Sequence, residues 1–313
     1  MITPNKGARA RSLFGASALA VAALLSAGSA MAPSPVSAQD QPSWDTPIPA
    51  QFQDSWKAFQ AMKAAAKPHS GPMPDWGGVW TRGRGGLNFD PAQPGAPGDG
   101  RITASLTPEA DAKYRKKLGE VGKGVEWDQL SYCLPAGFPR WLTEPFLREF
   151  IVTPKQTWWI NEQQSEARRI YTDGRGHVPD DEAFALWEGD SIGFWDGDTL
   201  VVHTIRVKPG QYQRSQPDYS DQTSTIERIR MVNPDTIRDE VTVWDPWGLK
   251  APWRVVDDYV RVKTPHIRID MWSCEENNNV VKTADGSSQF VLPGEPGYKD
   301  PNAILKTPAP GGR

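Results

Sequence analysis

Three side chains carry the acid/base and ionic chemistry this sequence offers: Glu227, His203 and Arg140. In the stretch 223–233, Thr225, Glu227, Ile229 and Met231 alternate with Ile226, Arg228 and Arg230. A β-strand sends successive side chains to opposite faces. The set with Ile229 and Met231 is the better core face, so Glu227 points inward. A buried carboxylate must be paired or take up a proton. It is then either a general acid or base or a structural ion pair with an inward arginine. In 198–207, His203 shares a face with Val201 and Ile205. It reads as a satisfied core histidine, or as a neutral imidazole that would complete an acid/base pair beside Glu227. Arg140 ends the run Leu134-Pro135-Ala136-Gly137-Phe138-Pro139, where two prolines preset the backbone. A guanidinium held there can grip a carboxylate or enolate oxygen. Equally, it can be tied to Glu275 or Glu276 beside Cys274. These three residues form the candidate catalytic set.

Aromatic residues supply a candidate binding set. The sequence holds 14 Trp in 313 residues. Trp158 and Trp159 are adjacent, so on a strand one faces the interior and the other packs outside. Trp195 adds flat apolar area. Tyr171, Arg175 and His177 belong to the segment Tyr171-Thr172-Asp173-Gly174-Arg175-Gly176-His177 at a strand end, which reads as a ligand loop or as an ordinary Asp-Gly turn. An aromatic-lined cavity suits a small hydrophobic or aromatic molecule. The same residues would also pad a solid core.

Other chemistries find no support. The four His, at 69, 177, 203 and 266, have neither His-x-His nor His-x-x-x-His spacing, so no metal site is expected. Asp196-Gly197-Asp198 is chiefly a hairpin turn. There is no glycine-rich nucleotide fingerprint, phosphate loop or Gly-x-Ser-x-Gly elbow, and no cofactor is expected.

The elements that position these groups are short. Gly (28) and Pro (29) are abundant beside Trp, which points to many turns and strands. Asp54 is placed to cap a helix to about residue 67, with Trp56, Phe59 and Met62 on one stripe. Thr107-Pro108-Glu109 starts a second helix over 108–118. Strands are expected at 147–153, 157–163, 166–172, 191–195, 198–207, 223–233, 236–244, 253–263 and 266–274. Tight turns at Asp196-Gly197-Asp198 and Asn233-Pro234-Asp235 join two pairs. The fold class is mainly β: an antiparallel meander curling into a closed barrel, which removes exposed edges, with an N-terminal wrap and two short helices.

Residues 1–38 read as a secretory signal, with Lys6, Arg9 and Arg11 before an apolar run and Val36-Ser37-Ala38 as the cleavage site. An uncleaved anchor is the alternative. Residues 39–74 form an extension with the first helix, 75–277 the barrel domain, and 278–313 a polar Gly/Pro-rich tail. No other apolar run is long enough to span a membrane. Cleavage removes three bases and no acids from a chain of net charge −3. No basic stripe remains for nucleic acid. Cys133 and Cys274 are the only cysteines, and an even count in an exported chain favours a disulfide. A loop of about 140 residues would be closed, worth roughly 4–5 kcal/mol by chain entropy. The expected location is periplasmic or secreted. Oligomeric state is left open.

Four phrases together carry a resemblance: Cys133-Leu134-Pro135-Ala136-Gly137-Phe138-Pro139-Arg140, Arg168-Arg169-Ile170-Tyr171-Thr172-Asp173-Gly174-Arg175-Gly176-His177, Gly197-Asp198-Thr199-Leu200-Val201-Val202, and Cys274-Glu275-Glu276-Asn277. Over roughly residues 75–277 the chain resembles a large group of exported bacterial proteins. The resemblance implies shared architecture rather than a reaction. At Val202-His203-Thr204 the chain departs from the Val-Val-Asp-Thr usual in that group, which singles out His203. The opening Gly78-x-Trp80 with a later arginine is similar to lipocalin-like (calycin) barrels, and implies a closed barrel around a small apolar ligand. The function expected is an exported binding protein for a small hydrophobic or aromatic molecule. The alternative is a cofactor-independent lyase, isomerase or hydratase working by acid/base catalysis.

Overall fold

Alternating apolar positions become the wall of a closed barrel. The computed structural model describes residues 46–85, 87, 97–98, 101–102, 104–214, 216–270, 274, 280–282 and 288–298. Its barrel strands are β1 (Val79–Gly85), β2 (Arg148–Val152), β3 (Gln156–Asn161), β4 (Ala167–Tyr171), β5 (Asp190–Asp196), β6 (Thr199–Ile205), β7 (Ser224–Asn233), β8 (Thr236–Trp244) and β9 (Trp253–Arg261). Each neighbours the next along the chain, and β1 closes the ring between β9 and β2.

The expected meander needs two corrections. A ring of nine strands cannot alternate direction throughout, because an odd ring must contain an odd number of parallel neighbours. The parallel pair is β4–β5, joined only at Ile170–Ser191 and Tyr171–Ile192. The chain does not turn back at Asp173-Gly174. Residues 172–189 instead return along the outside of the wall. The second correction concerns closure. No strand forms over 266–270; Pro265 and a left-handed His266 (φ 61°) sit in a turn there, and 271–273 lie outside the described residues. The ring is closed by Val79–Gly85, which the alternation did not single out.

The two tight turns appear where expected. Asp196 pairs with Thr199 across a Gly197 at φ +57°, a conformation glycine adopts without strain, and Asn233 pairs with Thr236. Helix α1 is Gln53–Ala65, preceded by a 3₁₀ turn; Asp54 lies inside it and caps nothing. Helix α2 is Pro108–Val121, and Thr107 Oγ1 accepts from Ala110 N at 3.3 Å as its cap.

Two apolar clusters flank the wall. The lumen holds Trp80, Phe150, Trp159, Ile170, Leu200, Val202, Ile229, Ile237, Val241 and Tyr259. On the outside, Phe52, Trp56 and Phe59 of the N-terminal segment cover Ile192, Val201, Ile205 and Ile226. Phe150 and Trp159 meet edge to face at 4.7 Å, and Tyr259 stands 5.7 Å from each. Truncating such a ring to alanine costs about 3–5 kcal/mol. The Arg261 guanidinium lies 4.2 Å over the Trp80 ring. Cys133 and Cys274 are bridged, with S–S 2.03 Å and Cα–Cα 5.3 Å across 141 residues. A short hairpin pairs Val280–Lys282 with Ser288–Phe290. Among the described residues no helix is long and apolar enough to cross a membrane.

Candidate functional site

The wall is one strand thick, and β6 shows both of its sides. Val202 faces the lumen and pairs across the ladder with Glu227; His203 faces out and pairs with Ile226. Glu227 is therefore inside and His203 outside. The acid/base pair considered for them does not form, because adjacent positions on a strand point to opposite faces.

Inside, Arg168 from β4 clamps Glu227. Its Nη1 donates to Glu227 Oε1 at 2.8 Å and its Nη2 to Oε2 at 2.5 Å. Nε donates to Ser191 Oγ at 3.1 Å, and Nη2 also to Thr204 Oγ1 at 2.7 Å. The guanidinium lies 3.8 Å over Phe138. Glu227 is fully buried, and a carboxylate held through both oxygens is not free to take a substrate proton. The ion-pair reading describes it.

Further acids stand beside it. Asp239 on β8 faces Asp257 on β9 directly across the ladder. Burial, and then the charges of Glu227 and Asp257, push the Asp239 carboxyl well above its usual range. Burial pushes Asp257 up to about 7 against the pull of Arg148 and Arg82. Its Oδ2 accepts from Tyr259 OH at 3.2 Å.

The loop 133–144 fills one end of the lumen. Arg140 is buried there, with Nη1 2.7 Å from Asp128 Oδ1 and Nε donating to Glu144 Oε1 at 2.7 Å. These two acids occupy the guanidinium. The expected link to Glu275 or Glu276 falls on residues outside those described. Glu166, just before β4, accepts from Gly137 N at 3.4 Å, and burial raises it to about 7. Glu188 is pushed well up by burial and then by the charge of Glu166. Both of its carboxyl oxygens are buried without a hydrogen-bond partner among the described residues. So are Trp141 Nε1, Trp159 Nε1, the Gln163 amide and the hydroxyls of Tyr212 and Tyr219.

Outside, a different chain of contacts runs beneath α1. Asp190 Oδ2 lies 3.0 Å from His177 Nδ1. His177 Nε2 and His203 Nδ1 are 2.8 Å apart, a distance that admits one proton between them. His203 Nε2 is 2.9 Å from Ser55 Oγ, and Ser55 Oγ is 2.8 Å from Ser224 Oγ. Trp56 and Phe59 cover the His203 ring at 5.5 and 5.3 Å. Burial, and then the His177 charge, hold His203 well below the usual imidazole pKa. Burial pushes the Asp190 carboxyl up, but His177, the Val178 N–H and Arg206 together outweigh it and the net shift is downward.

The binding set divides between the two sides. Trp159 is buried in the lumen, and Trp195 packs 5.5 Å from Trp76 toward the other end. Trp158 lies outside under Arg169 (4.3 Å), and Tyr171 outside under Arg175 (4.2 Å). Arg175 pairs with Asp173 at 2.7 Å, and His177 belongs to the histidine chain. Where β4 and β5 diverge, an outer cleft of about 390 Å³ is lined by Arg169, Tyr171, Leu186, Trp187, Glu188 and Asp190. Among the described residues no group of three or more His, Cys, Asp or Glu could hold a metal ion.

Sequence reasoning passed over Arg168, Glu166, Glu188, Asp239, Asp257 and Ser55. Three of them carried a signal, Arg168 by alternating with Ile170 on the buried face of β4. Asp239 alternates with Ile237 and Val241, and Asp257 with Val255 and Tyr259, the same pattern that placed Glu227 inward. The others depend on loops and long-range packing. Comparison with known proteins finds no matching family model and no similar curated protein.

Proposed function

We propose that this protein is an exported binding protein for a small hydrophobic or aromatic molecule that carries polar groups, held at the Glu166 end of the lumen. One observation carries this reading. Buried hydrogen-bonding atoms of Trp141, Trp159, Gln163, Tyr212 and Tyr219 have no partners among the described residues, and the Trp141–Trp159 and Tyr212–Tyr219 rings pack at a tilt 6.0 and 5.3 Å apart. Buried polar groups are normally satisfied, and a few convergent polar atoms in an apolar lining are what fixes a ligand's orientation. The disulfide and the signal-like residues 1–38 support export. Arg261 over Trp80 supports the likeness to lipocalin-like barrels. The test is native mass spectrometry of mature protein from its own periplasm, followed by extraction. A stoichiometric small molecule is expected. Protein that is reproducibly empty, and unresponsive in tryptophan fluorescence to a broad panel of aromatic compounds, overturns the reading.

A second reading rests on Glu166 and Asp257, two lumen-side carboxyls raised to about 7. Groups poised near neutrality suit a cofactor-independent lyase, isomerase or hydratase. In that case Glu166, not Glu227, is the proton-transfer group. Turnover of an extracted ligand, abolished in Glu166→Gln with binding kept, would establish it.

A further inference from the structure

The most unusual chemistry lies where the outer cleft meets the filled end of the lumen. Glu188 lines the cleft, yet both its carboxyl oxygens are buried and find no hydrogen-bond partner among the described residues. Glu166 stands close enough for its charge to be the second-largest influence on Glu188. Glu166 takes Gly137 N on Oε1 at 3.4 Å, and the Ala136 N–H and the Asn161 amide also favour its charged form, but no cation among the described residues pairs with it. Tyr219, only 1% exposed, brings a phenol hydroxyl that is likewise unpartnered. Gly137 ties these together. A Cβ built on it would lie 3.1 Å from Trp187 O and 3.6 Å from Tyr219 OH, so a side chain there would crowd the same space.

The nearby cations are already engaged. Arg168 is spent on Glu227 and Arg140 on Asp128 and Glu144. Lys208 sits over the Trp187 ring at 4.8 Å, and Arg169 at the cleft mouth is stacked on Trp158. The titratable and charged groups felt by Glu166, Glu188 and Tyr219 are one another, Arg168, Arg140, Glu144 and Asp218. The balance leaves two acids without a counter-charge, next to the rings of Tyr219, Trp187 and Phe138. Carboxylates with aromatic faces are the chemistry that recognises an organic ammonium group.

We propose that Glu166, Glu188 and Tyr219 form a site for the ammonium group of an aromatic or apolar amine that enters through the β4–β5 cleft. This rests on the small-molecule reading of the lumen and names its ligand class. The amine's charge would offset the burial that raises both carboxyls. Once either acid is ionised, the pair repels an anionic ligand.

The experiment titrates mature protein with three matched ligands: 2-phenylethylamine, 2-phenylethanol and 3-phenylpropanoate. The readout is tryptophan fluorescence, checked by calorimetry. The amine is expected to bind at least about tenfold tighter than the alcohol, the size of one charge-assisted contact, and the carboxylate weakest. Glu188→Gln should bring the amine to the alcohol's affinity, both measured on that variant. Tyr219→Phe should weaken the amine less. Raising the pH from 6 to 8 should tighten amine binding as Glu166 loses its proton. Thermal melting of each variant separates lost binding from lost folding. If Glu188→Gln does not fold, the wild-type amine/alcohol ratio and its pH dependence still decide. An alcohol that binds as well as the amine, or an amine advantage that survives Glu188→Gln, overturns the ammonium site and leaves the lumen reading standing. Failure of all three ligands to bind at millimolar concentration overturns the ammonium site and counts against the lumen reading as well.

Discussion

Glu227 and His203 lie on neighbouring strands, one register position apart, and are both fully buried, yet they face opposite sides of the barrel wall. The protein handles the two sides differently. In the lumen, charge meets charge: Arg168 holds Glu227 through both oxygens, and burial pushes the neighbouring Asp239 and Asp257 carboxyls up, Asp257 to about 7. Under α1, the ionic contacts sit at one end, where Asp190 lies 3.0 Å from His177 and 3.5 Å from Arg206. A relay of short contacts, Asp190–His177–His203–Ser55, joins the crossover, the barrel and the helix. The lumen side retains many unpartnered polar atoms, whereas each member of the outer chain lies within 3.0 Å of its neighbour, although His177 Nδ1 makes no hydrogen bond among the described residues. That difference separates a place fitted for a ligand from a clamp that seats a helix.

The largest expected effect tests the inner side. Glu227→Ala leaves Arg168 charged and buried without its partner, and should destabilise the fold by about 3–5 kcal/mol in chemical denaturation. Replacing both, with Arg168→Met and Glu227→Gln, should recover most of that loss. A double variant as unstable as the single one would show that the pair does more than neutralise itself. Next comes the clamp. His203→Asn removes short contacts without stranding a charge, and should cost about 1–3 kcal/mol, with the loss of protection in hydrogen exchange centred on α1. If His203→Asn costs more than Glu227→Ala, the ranking of the two regions is reversed.

The two sides should also oppose each other in pH. Asp257 and Glu166 have folded pKa values raised to about 7, above those of the unfolded chain. The unfolded state gives up these protons first, so stability falls as pH rises from the usual carboxylate range through 7. His203 has a depressed folded value. The unfolded chain takes up that proton first, so stability falls as pH drops through the usual imidazole range, about 6.5. Asp257→Asn should flatten the first slope alone and His203→Asn the second alone, read as denaturation midpoints across pH 4–9. One variant that changes both slopes would mean that the wall does not insulate the clusters. The smallest effect belongs outside both. Arg175 pairs with Asp173 on the surface, and Arg175→Ala should change stability by no more than about 0.5 kcal/mol. A larger loss would give that segment a role it does not have in either region.

Much of this arrangement was legible in the residues. Period-two alternation placed Glu227 inward and Trp158 and Trp159 on opposite faces. Turn chemistry located the Asp196-Gly197 and Asn233-Pro234 hairpins, and cysteine count predicted the bridge. Alternation says nothing about which strands become neighbours across the ring. Arg168 and Glu227 are 59 residues apart, and only closure of the barrel sets them face to face. Ser55 and His203 are 148 residues apart, and they meet because α1 lies across β6. The strand expected at 266–274, absent over 266–270, shows the same limit. Composition there suits a strand, but the closing position was already taken by Val79–Gly85, whose Trp80 fills the lumen.

By itself, then, the sequence determined local direction: which side chains point together, where the chain reverses, and that two thiols would join. These depend on nearest-neighbour geometry, which the backbone imposes whatever lies beyond. Tertiary structure alone decided the company each group keeps. A buried carboxylate becomes an ion pair, a proton donor or an unpartnered acid according to whether a guanidinium, another carboxylate or only aromatic surface faces it. In this barrel those partners come from distant strands and from the loop that fills its end.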